Sequence, residues 1–190
     1  MMAASADDTS DDPGDITRSV GLGFSMVIKS LKLKFPKVSN ITTKELADWL
    51  KPGSDTDVIL IDSRPKEEYD VSHIEGSTRV DWEADDAQIV QDIPSLNQTG
   101  PESTDRKRVV VCYCSVGYRS SATAQKIQAL FAKQESHASV PVYNLEGSLF
   151  KWANERRRMV DAANQKTELA HPYNSVWGKL LDKELRQTSS

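Results

Sequence analysis

Arg108–Ser121, RVVVCYCSVGYRSS, runs from an unbroken apolar stretch into a polar loop and then a segment of helical character. A continuous β-branched run of this kind marks a strand buried on both faces, which is the habit of parallel sheets. The chain has two cysteines, and both lie here. Cys112 sits inside the run, where cysteine packs as a small hydrophobe. Cys114 follows the strand at once and opens a loop. Spacing along a strand puts their Cα atoms about 6.5–7 Å apart, at the long limit for a disulfide. Gly117 lies mid-loop, where it can supply φ > 0, and Ser120-Ser121 are N-cap candidates for a helix over Ser121–Lys133. If the loop curls, the backbone N–H groups of Ser115 to Ser120 converge on the Cys114 sulfur. Inward amides, a helix N-terminus and the fixed charge of Arg119 all favour thiolate over thiol.

Outward from this stretch, strand and helix signals alternate. Val38–Ile41 is a short strand candidate; Thr42-x-x-Glu45 is a capping box opening the helix KELADWL, which Pro52-Gly53 ends. Asp57–Asp62 (DVILID) is a second buried strand, Pro65–Tyr69 a turn of helix, and Gly76–Val80 another strand. Residues 81–107 read as a short helix and an irregular surface loop. After Ser121–Lys133 come a strand at Val140–Asn144 and a helix at Leu149–Arg157. This alternation predicts an α/β fold with a parallel sheet covered on both faces, and ligands in such sheets bind beyond the carboxyl ends of the strands. Two strand ends carry polar chemistry: Asp62-Ser63-Arg64 and Cys114 onward.

The flanks and the composition narrow the class of protein. A chain of 190 residues suits one domain with extensions. Residues 1–15 hold five Asp and no Lys or Arg, a solvated acidic tail and neither a secretory signal nor a transit peptide. Residues 16–37 form an N-terminal extension whose Phe24–Phe35 segment has helical spacing. The domain proper spans 38–158, and 159–190 is a C-terminal extension with an amphipathic helix carrying Val176, Leu180 and Leu181, anchored by Trp177. A net charge of −4 argues against nucleic acid, no stretch is long enough for a membrane span, and the cytoplasm is the expected compartment. His73, His137 and His171 are scattered, so no metal site is expected.

Four separated motifs resemble the single-domain rhodaneses, a sulfurtransferase family. Ile61-Asp62-Ser63-Arg64 with Glu68-Tyr69 resembles the family's Asp-x-Arg…Glu-Tyr segment, and His73-Ile74-Glu75-Gly76-Ser77 its His-Ile-x-Gly turn. Cys114-Ser115-Val116-Gly117-Tyr118-Arg119-Ser120 resembles the Cys-x-x-Gly-x-Arg-Ser active loop. Asn144-Leu145-Glu146-Gly147-Ser148 with Trp152 resembles the closing Leu-x-Gly-Gly…Trp motif. The resemblance implies a three-layer α/β/α fold with a central five-stranded parallel sheet, Cys114 as nucleophile, and Ser115, Val116, Gly117, Tyr118, Arg119 and Ser120 as the loop that binds substrate. It also implies no cofactor, a small sulfur donor (thiosulfate or a persulfide), and an acceptor that is cyanide, a thiol or a protein. A rhodanese-like interaction or redox-sensing module without turnover is the alternative. A cysteine phosphatase is third, because four residues separate Cys114 from Arg119 and phosphatases of related fold use five. Two departures stand out: the loop lacks the lysine of some thiosulfate-preferring members, and Ser148 replaces the second glycine of the closing motif. Asp62 and Arg64 are read as an ion pair tying the strand-to-helix turn, Glu68 and His73 as braces, and Trp152 as packing for the last helix.

Overall fold

The computed structural model describes residues 21–96, 106–133 and 140–188. The acidic tail, and with it residues 16–20 of the N-terminal extension, lies outside the described residues, as does most of the irregular loop before the strand at Arg108.

Five parallel strands make the central sheet: β1 (Ser39–Ile41), β2 (Thr56–Asp62), β3 (Thr78–Arg79), β4 (Lys107–Tyr113) and β5 (Val142–Leu145), in the order β1-β5-β4-β2-β3. Helices α1 (Leu22–Lys34), α2 (Thr43–Trp49), α3 (Lys66–Val71), α4 (Asp86–Asp92), α5 (Tyr118–Ala132) and α6 (Ser148–Asn154) surround it. The three-layer α/β/α architecture follows from how β4 divides its side chains. Val109, Val111 and Tyr113 enter one core cluster with α2, α6 and Phe24 of α1. Val110 and Cys112 enter the other, with α4 and α5. A strand buried on both faces has no solvent side to mark with polar residues, which is why RVVVCY reads as unbroken. Strand β2 divides likewise, with Leu60 in the first cluster and Ile61 in the second.

The capping box at Thr42 is present in full: the Thr42 hydroxyl accepts from the Glu45 N–H, and the Glu45 carboxylate accepts from the Thr42 N–H. The C-terminal stretch differs from its prediction. A small antiparallel pair, β6 (Met159–Val160) and β7 (Lys166–Thr167), follows α6. Two short 3₁₀ turns, Trp177–Leu180 and Lys183–Leu185, then stand where one amphipathic α-helix is predicted. The physical reason is local: the Asn174 side chain accepts the N–H groups of both Val176 and Trp177, and Gly178 packs on Pro172, so the chain tightens into a single turn. Leu181 and Leu185 still bury themselves in the first core cluster, which wraps the segment onto the domain. Among the described residues no helix is long and apolar enough to cross a membrane.

Candidate active site

Cys114 leaves the sheet between β4 and α5, at the carboxyl edge. The loop is turned by the start of α6: the N–H groups of Leu149 and Phe150 donate to the carbonyls of Cys114 and Ser115, each at 3.0 Å. The Ser148 hydroxyl accepts the Cys114 N–H at 3.2 Å and donates to the Leu145 carbonyl. Ser148 stands at φ +50, the left-handed region that glycine would adopt more readily. Its hydroxyl supplies two tethers that a glycine lacks, so the departure from the closing motif adds to the loop's anchoring.

Helix α5 begins at Tyr118, three residues before the predicted start, and Ser120 and Ser121 are not its caps. Gly117 is the capping residue, at φ +122, and offers no side chain. The amides of Gly117 and Ser120 turn instead to the cysteine sulfur, the Gly117 N–H donating to Cys114 Sγ at 3.1 Å. The sulfur thus occupies the place of the acceptor that a helix N-terminus ordinarily finds in a capping side chain. Ser121 hydrogen-bonds back to the Gly117 carbonyl at 2.6 Å. Ser120 places its hydroxyl 3.5 Å from Sγ and 2.6 Å from Oδ1 of Asn144. Asn144 in turn donates to Asn40 at 2.8 Å, and Asn40 to the Val38 carbonyl, so a polar chain crosses the ends of β5 and β1 to reach the sulfur. The part Asn40 plays in this chain is not legible in any motif; only the register of β1 beside β5 brings it there.

Arg119 turns its fork to Glu68. Its two terminal nitrogens meet the two carboxylate oxygens of Glu68 at 2.8 and 3.0 Å, and one also reaches the Ser115 hydroxyl at 2.9 Å. Ser115 donates to the same carboxylate at 2.7 Å. Glu68 is buried, and although burial pushes its carboxyl up, the Arg119 hydrogen bonds and charge, Ser115 and Arg64 together hold it below the ordinary carboxylate range. Arg119 and Ser115, predicted to bind substrate, therefore brace the loop from α3. Val116 packs in the core. The Tyr118 ring lies at the rim, edge-on to Phe35 at 5.5 Å and beneath Lys34 Nζ at 4.7 Å. Gly117 faces Leu31 of α1, whose Cδ1 is 3.2 Å from where a Cβ would stand.

The two cysteines lie in different surroundings. Both are free thiols, not joined to each other. Burial among apolar side chains pushes the Cys112 thiol far above its ordinary range. Burial pushes Cys114 up as well, but the Arg119 charge and the hydrogen bonds from Ser120 and Gly117 outweigh it and bring it below the ordinary value. Behind the loop, Arg64 and Asp62 form a fully buried pair at 2.5 Å, with Arg64 also donating to the Ser72 carbonyl. His73 exchanges backbone hydrogen bonds with Val160, and Trp152 donates to the Arg158 carbonyl at 2.9 Å, so both act as braces. Ser63 is the residue that pattern reading passed over. Its N–H extends the ladder to the Tyr113 carbonyl, and its buried hydroxyl has no hydrogen-bond partner among the described residues. Asp62 with Tyr113 is the last pair in register between β2 and β4, so Ser63 and Cys114 each leave the end of one of two neighbouring strands. Among the described residues no three His, Cys, Asp or Glu side chains are grouped to hold a metal.

A family model described as Rhodanese-like domain matches residues 42–155. No curated protein matches at a significant level. Among solved structures, the thiosulfate sulfurtransferase of Pseudomonas aeruginosa is 17% identical with a TM-score of 0.50, covering 78% of this chain and 24% of that one. The chain thus spans about a quarter of that protein's length. The rhodanese-like domain of an Anabaena protein is 17% identical with a TM-score of 0.47, covering 72% of this chain and 90% of that one. A Rhodopseudomonas palustris protein of unknown function, described as a possible tyrosine phosphatase, is 23% identical with a TM-score of 0.40, covering 74% and 92%. At such identities the likeness is one of fold.

Proposed function

The chain belongs to the rhodanese-like domain family, and from that membership and the surroundings of Cys114 we propose that it is a sulfurtransferase that carries a sulfane sulfur on this residue. The observation that carries the proposal is the seat of Sγ at the start of α5, where it receives the Gly117 N–H at 3.1 Å and lies in the field of Arg119. In the first displacement the Cys114 thiolate attacks the outer sulfur of the donor. The donor's S–S bond breaks, its electron pair leaves on the inner sulfur, and Cys114–S–S⁻ forms. In the second, an acceptor thiolate or cyanide attacks the terminal sulfur and the Cys114 thiolate is regenerated. Two easier displacements replace one, and no external oxidant or reductant is consumed. The α5 amides would stabilise the charge on the terminal sulfur. The Ser63 hydroxyl, without a partner among the described residues and just past the end of the neighbouring strand, is a further candidate donor.

The engagement of Arg119 bears on the donor. A persulfide carries its charge on the sulfur that is transferred, and the amides of α5 suit it. Thiosulfate brings a sulfonate besides, and the loop offers no second cation to meet it. The same engagement speaks against phosphate ester hydrolysis, which needs an arginine fork turned towards the phosphate. The test is mass spectrometry of the intact protein after exposure to a small organic persulfide and, separately, to thiosulfate. The expected result is a gain of one sulfur atom on Cys114, larger with the persulfide and absent in Cys114→Ser. Sulfur uptake that persists in Cys114→Ser, or a wild-type protein that takes up none from either donor, overturns the proposal.

A further inference from the structure

The segment His171–Asn174 lies beyond the matched residues 42–155 and brings one side chain to the loop. The ring of Tyr173 covers the guanidinium of Arg119, with Cζ 4.7 Å from the ring centroid. Tyr173 holds this place from a left-handed backbone, φ +64, which a large L residue seldom adopts. A residue kept in such a conformation points to surroundings that determine it. Here they are evident. The Tyr173 N–H donates to Nδ1 of His171 at 3.0 Å, and the Asn174 N–H to the Pro172 carbonyl at 2.8 Å. Asn174 then ties down Val176 and Trp177, and a Cβ on Gly178 would stand 2.9 Å from Pro172, so the turn has no room to relax. A glycine or asparagine at 173 would fit this backbone with less strain, yet the position holds a tyrosine stacked on the arginine of the loop.

We propose that Tyr173 is a positioning residue: its ring shields the Arg119 guanidinium from water and fixes it against Glu68 and Ser115, so that its charge acts at full strength on the Cys114 sulfur. The physics is that of a cation on an aromatic face in a poorly hydrated site, where the attraction and the field of the cation are both stronger than in water. The fork of Arg119 is already held on one edge by Glu68 and Ser115, and the ring closes its face. The charged and titratable groups around the sulfur are Arg119, Glu68 of α3 with Arg64 behind it, and Cys112 on β4. His171, which accepts the Tyr173 N–H, holds the turn itself. This proposal rests on Cys114 being the reactive nucleophile.

The test follows alkylation of Cys114 by iodoacetamide across pH, read at the Cys114 peptide by mass spectrometry, alongside urea denaturation of the same proteins. Tyr173→Phe keeps the ring and is expected to match wild type in both. Tyr173→Gly and Tyr173→Asn lose the ring and suit the backbone. They are expected to keep or raise stability while the alkylation midpoint moves up, leaving a thiolate fraction at pH 7 that is about threefold to tenfold smaller. An unchanged midpoint in both ring-less variants overturns the proposal. So does a Tyr173→Phe midpoint displaced as far as theirs, or a loss of stability in both ring-less variants, which would make Tyr173 a structural residue only. The assay uses no sulfur donor. A wild-type Cys114 that alkylates with a low midpoint yet never accepts sulfur therefore rejects the sulfurtransferase reading and leaves this one standing.

Discussion

Replacing Arg119 with glutamine strips the guanidinium from both carboxylate oxygens of Glu68, in a place where the two side chains are 11% and 2% exposed. Removing one member of a buried pair costs about 3–5 kcal/mol, because the remaining charge is left uncompensated away from water. Glu68 retains the Ser115 hydroxyl at 2.7 Å and the charge of Arg64, which puts the expected loss at the low end, about 3 kcal/mol at neutral pH. The pH dependence should change sign. In the wild type the Glu68 carboxyl lies below its unfolded value, so the unfolded chain binds more protons. The pair's stabilisation is then present above about pH 4.3 and lost as pH falls through the folded value. In Arg119→Gln burial dominates and the carboxyl rises, the folded chain binds more protons, and the contribution falls as pH rises from 4 to 7. Urea denaturation followed by tryptophan fluorescence at several pH values between about 3 and about 7.5 reads both effects. A variant within 1 kcal/mol of wild type at pH 7, with a pH slope of unchanged sign, would refute the role assigned to the pair.

Further perturbations address the loop. Gly117→Ala forces a side chain to φ +122 and against Leu31, so a loss of about 1–3 kcal/mol in urea denaturation is expected, with a higher Cys114 alkylation midpoint as the amide is displaced. Native alkylation should label Cys114 with a midpoint below that of a free thiol and leave Cys112 unmodified until the chain unfolds. Equal labelling of the two in the folded protein, seen by peptide mass spectrometry, would contradict their separation. Leu31→Ala removes the α1 contact with Gly117 at a cost of up to about 2 kcal/mol. It should speed modification of Cys114 by bulky maleimides more than by iodoacetamide; equal acceleration of the two reagents would show that α1 does not limit access.

What pattern reading recovers here is what depends on local order along the chain. The unbroken VVVCY run announces a strand buried on both faces, and the alternation of strands and helices carries the parallel sheet. The surroundings of Cys114 are legible too, since its amides come from the next few residues. The destination of Arg119 is not. Its partner Glu68 lies 51 positions away, and the loop spacing carries no sign of that pairing. Ser63 escaped for a related reason: an unsatisfied hydroxyl is defined by what surrounds it, and only the strand order brings the end of β2 beside that of β4. The missing C-terminal α-helix reflects competition. The apolar spacing of Val176 to Leu181 suits a helix, but the hydrogen bonds to the Asn174 side chain and the Pro172–Gly178 contact hold a tighter turn.

Helix α1 lies outside the matched residues, yet Leu31 meets Gly117, Lys34 and Phe35 meet Tyr118, and the Cys114 side chain is only 1% exposed. The helix is latched to Glu146 through Lys32 at 2.6 Å, but its first turn has neither a side-chain cap nor an acidic residue. Helices begun so weakly open at lower cost than the sheet beneath them. The sulfur that the proposed reaction would carry on Cys114 would be sheltered beneath the docked helix. How long such a sulfur would survive among stray thiols would then depend on how firmly those thirteen residues hold to the domain, a matter separate from the reactivity of the cysteine.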